Sequence, residues 1–181
     1  MLSESLTRFL RSDFKKLTII WGAFQAAAAI YWLISRIMSS QWGPGAKVET
    51  GLVPVFFGLA ALVAVASVIY QRWAFSEARI VARRKSGLRA NASTDALMAQ
   101  RSEYANLDEG DRGLVAVFAY VQTSYIVTWA MQEAIAVFGL VMTIVTQDAS
   151  NMPLFSIAAF AMLYTSRQKM LGYLEWAARR S

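Results

Sequence analysis

Residues 113–146 read GLVAVFAYVQTSYIVTWAMQEAIAVFGLVMTIVT, an apolar run whose polar interruptions are Gln122, Thr123, Ser124, Gln132 and Glu133. No lysine or arginine falls inside it. At the usual rise a helix of this length reaches ~50 Å, against a hydrocarbon core of ~30 Å. The reading is therefore a membrane helix whose first two turns project from the bilayer, with Gln122, Thr123 and Ser124 near the interface.

Three further runs share this character. Residues 17–38 (LTIIWGAFQAAAAIYWLISRIM) and 52–73 are each long enough to span, the second without a charge before Arg72. Residues 152–165 form a shorter run, which Ser166 to Trp176 can extend into the interface with Met170, Leu171, Tyr173 and Trp176 as anchors. Hydrophobic residues make up 56% of the 181 and charged ones 17%, too apolar a balance for an ordinary soluble domain. The chain contains no cysteine and no histidine, so disulfides, thiolate or imidazole metal sites and Cys- or His-based catalysis are excluded. No cofactor, metal ligand set or catalytic constellation emerges. The net charge of +6 follows membrane topology, with no basic reading helix or stacking sheet for nucleic acid.

The basic residues set the orientation. Arg8, Arg11, Lys15 and Lys16 precede the first span, a second set runs from Arg72 to Arg112, and Arg167, Lys169, Arg179 and Arg180 follow the fourth, leaving Arg36 and Lys47 for the two short connections. By the positive-inside rule both termini and the central segment face the cytoplasm of a bacterial inner membrane. The turns at Trp42-Gly43-Pro44-Gly45 and before Pro153 face away. The expectation is an all-α polytopic protein divided into an amphipathic helix (1–16), a first hairpin (17–73), a cytoplasmic helical linker (74–112) and a second hairpin with its tail (113–181).

Leu2, Leu6, Phe9, Leu10, Phe14 and Leu17 recur at three- and four-residue steps, the pattern of a helix lying on the inner leaflet. The second span is expected to run on past Trp73 through Phe75, Ala78 and Val81, ending near Gly87. Its basic cluster, Arg79, Arg83, Arg84 and Lys85, serves as a topology anchor or an anionic-lipid site. A short helix is expected from Ser93-Thr94-Asp95, with Leu97, Met98, Tyr104 and Leu107 on its apolar side. Asp108-Glu109-Gly110-Asp111 provides acidic caps for the helix that follows.

Residues 23–31 (AFQAAAAIY) align with 130–138 (AMQEAIAVF), glutamine on glutamine, as a duplicated hairpin with parallel repeats would require. Gln25 and Gln132 fall near mid-span, and Glu133 is the acidic residue deepest in the apolar runs. Desolvation disfavours a charged carboxylate there, so a neutral or paired Glu133 is expected, with Gln25, Gln132 or a neighbouring chain as partner. Two readings stand: interhelical hydrogen-bonding glue, or a proton- or cation-binding site. Gln132 and Glu133 lie about 100° apart around the helix, so one is expected to face the other hairpin and one a second subunit. Small residues line each span for close contact: Ala23, Ala26, Ala27 and Ala29; Gly58, Ala61, Ala64 and Ser67; Ser156, Ala159 and Ala161.

The stretches Lys16-Leu17-Thr18-Ile19-Ile20 leading to Gln25, and Ile126-Val127-Thr128-Trp129-Ala130-Met131-Gln132-Glu133 leading to Phe138-Gly139-Leu140, carry a family likeness. In them the four spans resemble small bacterial four-span proteins whose hairpins are similar to the proteolipid, or c-type, subunits of rotary ATPases. The resemblance implies a proteolipid-like fold and a tendency to assemble, with Glu133 as ion carboxylate and Gln25 and Gln132 as helpers. Unlike rotor subunits, the chain carries its glutamate on the first helix of a hairpin and lacks their glycine repeat. The functional expectation is a non-enzymatic protein of the lipid bilayer, a homo-oligomer such as a ring or an accessory subunit of a membrane complex. The alternative is proton or cation translocation through Glu133.

Overall fold

Helical spacing of apolar residues, with proline confined to positions 44, 54 and 153, leaves long stretches free to form helix. The computed structural model describes residues 3–42, 51–88 and 93–179, with backbone alone at 93–94 and 170–179. Within them lie α1 (Glu4–Gln41), α2 (Val53–Ala74), α3 (Glu77–Ser86), α4 (Ser93–Ala99), a 3₁₀ turn (Ser102–Asn106), α5 (Glu109–Thr146) and α6 (Met152–Arg179). No strand occurs among the described residues. The turn at Trp42-Gly43-Pro44-Gly45 lies, past Trp42, outside them, as do the side chains of Met170, Leu171, Tyr173 and Trp176. Three helices, α1, α2 and α5, are long and apolar enough to cross a membrane. The 28-residue α6 has the length, but its apolar part stops before Arg167 and Lys169.

Two compact units divide the chain: Met1–Ile20, Gln71–Val127 and Arg167–Ser181 form the first, and Trp21–Tyr70 with Thr128–Ser166 the second. The first unit is built around the opening half of α5. Residues 113–119 are buried all round the helix, and Leu6, Phe9, Leu10 and Leu17 of α1 are buried with Ala74, Phe75, Ile80, Met98 and Leu107. A helix apolar on every side is buried, either in a protein core or in a membrane. The apolar residues of α5 from Leu114 to Ala119, with Val121 and Tyr125, are thus buried by protein in this unit, a use that composition alone does not distinguish from contact with lipid. The same holds for the amphipathic stretch of α1: its apolar face is buried within the unit. It does not end at residue 16, because no proline and no glycine but Gly22 interrupts α1 before Gln41.

The helix expected to continue past Trp73 breaks at Phe75. Ser76 is extended (φ −63°, ψ 141°) and α3 starts anew at Glu77. Packing accounts for the break: Phe75 turns inward and stacks on Tyr125 at 4.5 Å between centroids, and the Tyr120 hydroxyl donates to the Ala74 carbonyl at 2.9 Å. That carbonyl is one of those a helix end leaves without an intrahelical partner. α3 ends as expected before Gly87, whose φ of 63° suits glycine. Met98 and Leu107 are buried, but Leu97 is exposed. The acidic cap of α5 is present, the Asp108 carboxylate accepting from the Asp111 backbone N–H at 2.7 Å. Asp111 in turn accepts from the Ser3 and Ser5 hydroxyls at 2.5 and 3.2 Å, joining the starts of α1 and α5.

The second unit contains the helix segments 21–41, 53–70, 128–146 and 152–166. Its core gathers Ala28, Ala60, Ile135, Ala136, Met142, Phe155 and Ala159, with Tyr31, Phe56, Val63 and Phe138 packed against them. Alanines from all four segments let the backbones approach, as in membrane bundles generally. Of the small residues singled out in the sequence, Ala159 and Ser67 are buried, whereas Ala23, Ala26, Ala29, Gly58, Ala61 and Ala161 are exposed. The tightest approach falls at Gly139, where an added Cβ would sit 2.5 Å from Cβ of Phe155. Hydroxyls in these segments bond back to their own helices: Ser35 to Trp32 O (2.6 Å), Ser67 to Ala64 O (2.8 Å), Thr143 to Gly139 O (2.9 Å) and Thr146 to Met142 O (2.8 Å). The unit's surface shows Ile30, Leu33, Ile37, Leu62, Val65, Ile69, Ile144 and Ile157.

Candidate functional site

All three candidate ion-site residues belong to the second unit. Gln132, 2% exposed, faces inward from α5, while the next residue, Glu133, is half-buried, as the turn of about 100° requires. The Ser166 hydroxyl of α6 lies 3.1 Å from Gln132 Oε1 and accepts from the indole N–H of Trp129 at 3.0 Å. Leu163 O lies 3.0 Å from the same hydroxyl and competes for its single proton. Gln25, also buried, donates its amide to Phe160 O of α6 at 3.4 Å, and the Trp21 indole one turn earlier donates to Leu163 O at 3.1 Å. Both glutamines thus tie their helices to α6. The Gln25 Oε1 is buried with no hydrogen-bond partner among the described residues.

Glu133 accepts a 2.8 Å hydrogen bond from the Tyr31 hydroxyl of α1. Its other oxygen, Oε2, accepts none from the described residues. No hydrogen bond among those residues joins any two of Gln25, Gln132 and Glu133. No group of three or more acidic, His or Cys side chains able to hold a metal occurs among the described residues either. The chemistry available is a phenol–carboxyl pair, able to carry or release a proton, beside an interhelical network of neutral amides, indoles and a hydroxyl. Tyr31 is the partner that sequence reading missed, having figured there only as the last residue of the repeat stretch 23–31. Its signal was present: a phenol within an apolar run needs an acceptor when buried.

The basic cluster separates into different roles within the first unit. Arg83 is buried, pairs with Asp95 of α4 and donates its Nε to Ala116 O of α5 at 3.3 Å. It holds three helices together through these contacts. Arg79 stacks on Trp73, 3.5 Å from the ring centroid, and Lys85 is exposed. Arg84 is half-buried, its Cγ and backbone packed where Gly113 lacks a side chain. A second ion pair was not anticipated: Arg101 grips Asp13 through both carboxylate oxygens at 2.6 and 2.7 Å. That hydrogen bonding raises the Arg101 pKa above its ordinary value, so the cation persists throughout the physiological range.

No protein-family model, curated protein or solved structure matches the chain.

Proposed function

We propose that the chain is a four-span protein of the bacterial inner membrane, built from two hairpins, that assembles with copies of itself, in a ring or smaller oligomer, or serves as a structural subunit of a membrane complex. It has no catalytic activity of its own on this reading. The observation that carries it is Glu133: in an apolar helix long enough to span a membrane, half-buried, bonded through one oxygen to Tyr31 and not enclosed by the described residues. A carboxyl group facing lipid is costly, and a neighbouring subunit that covers it removes that cost. The proteolipid-like resemblance of the hairpins supports the same reading. The topology is supported by charge: apart from Arg36 and Lys47, the 18 basic residues belong to the unit containing residues 1–20, 71–127 and 167–181. Native mass spectrometry after mild extraction is expected to return a defined multimer or hetero-complex. Single chains without any partner would overturn the proposal.

The Tyr31–Glu133 pair also favours a second reading, in which Glu133 binds and passes a proton or a cation. Reconstituted vesicles are expected to lose flux with Glu133→Gln on that reading. Unchanged flux and ion binding would remove it.

A further inference from the structure

The opening turns of α1 bury Leu6, Phe9, Leu10 and Leu17 on one face, while the opposite face lines an open groove of about 810 Å³. Glu4, Arg8, Arg11 and Lys15 stand along it, with Phe14 between the last two and Thr18 and Ile19 beyond them. Arg8 is already paired with Glu4 at 3.2 Å. Arg11 and Lys15, one turn apart on the wall of the groove, have no acidic partner among the described residues. Ile19, 71% exposed, sits at its other end. The groove thus carries the cations Arg11 and Lys15 in its middle and an apolar end at Ile19, with the Glu4–Arg8 pair at its start.

Position along the helix identifies what matches that pattern. The apolar run of α1 begins at Leu17, so Lys15 and Arg11 lie ~3 and ~9 Å before it along the axis. A headgroup layer is about 5–7 Å deep on each side of the hydrocarbon core. The two side chains are long and flexible enough to bring their charges to phosphate level. An inorganic anion would use the cations and leave Phe14 and Ile19 uncovered, whereas a phospholipid uses both the cations and these apolar side chains.

We propose that this groove is a binding site for an anionic phospholipid, whose phosphate is held by the Arg11 guanidinium and the Lys15 ammonium and whose acyl chain lies against Phe14 and Ile19. The site differs from the cluster at 79–85 and does not depend on the oligomeric state of the chain. It also reverses the usual use of an amphipathic segment: protein covers the apolar face, and lipid is bound by the other.

The test is lipid retention by the full-length chain in mild detergent, offered equal amounts of phosphatidylglycerol and phosphatidylcholine and read by native mass spectrometry. The wild type is expected to retain phosphatidylglycerol preferentially. Arg11→Gln and Lys15→Gln are each expected to weaken that retention about fivefold, and the double variant about 25-fold. Millimolar inorganic phosphate is expected not to compete. Equal retention of the two lipids by the wild type would overturn the proposal without recourse to any variant. So would a folded double variant that keeps phosphatidylglycerol as the wild type does, or displacement of the lipid by inorganic phosphate.

Discussion

Single side chains carry opposite kinds of weight in the two units. Tyr31 and Glu133 share one hydrogen bond of the kind worth about 0.6 kcal/mol in membrane bundles. Glu133→Gln preserves an acceptor for the phenol and is expected to leave thermal unfolding in detergent nearly unchanged, whereas Tyr31→Phe lowers stability by roughly that amount. Arg83 is different, since its buried charge depends on Asp95. Arg83→Met alone is expected to cost about 3–5 kcal/mol, because it breaks a buried ion pair by removing one member, and Arg83→Met combined with Asp95→Leu should recover most of the loss. Denaturation of the two variants beside the wild type decides this; a single variant as stable as the double would contradict it. The sequence marked Glu133 and Gln132 through their polarity in an apolar run. It could not reveal Arg83, because a buried arginine and a lipid-facing one look alike until the acid that meets it, here 12 residues away on another helix, is located.

At the scale of elements, periodicity and caps were legible, while breaks caused by packing were not. Asp108, Gly87 and the start of α6 stood where their chemistry indicated. The interruption at Phe75 was hidden, since Trp73 to Val81 contains no glycine or proline, and only Tyr120 and Tyr125 on a distant helix explain it. Gly139 shows the same dependence on a partner. Gly139→Ala is expected to destabilise by about 1–3 kcal/mol through overpacking against Phe155, with part of this recovered by Phe155→Leu. The end of α5 offers the reverse case. Gln147 adopts φ 52°, a left-handed conformation that penalises a side chain. Gln147→Gly is expected to raise stability by about 0.5–1 kcal/mol, measurable as a higher midpoint of thermal unfolding.

At the scale of the molecule, the division into two units follows a partition visible in the charges but not in the hydrophobic residues. Apolar runs in α1 and α5 extend beyond the second unit because their opening turns supply a protein core, and hydropathy does not distinguish that core from lipid. Copy number belongs to this scale: Glu133→Leu, which removes the carboxyl that a neighbour would cover, is expected to change the multimer distribution in native mass spectra, and Arg36→Gln to leave it alone. The hydrogen bonds that α1 makes through Trp21, Gln25 and Tyr31 have a consequence for biogenesis. Their acceptors on α5 and α6 come 142, 135 and 102 residues later in the chain. At ordinary translation rates the ribosome needs ~5–30 s to deliver them. For that interval the nascent first helix holds two indole or amide donors and a phenol without their final acceptors, so insertion factors that shelter half-made bundles have a window in which to act.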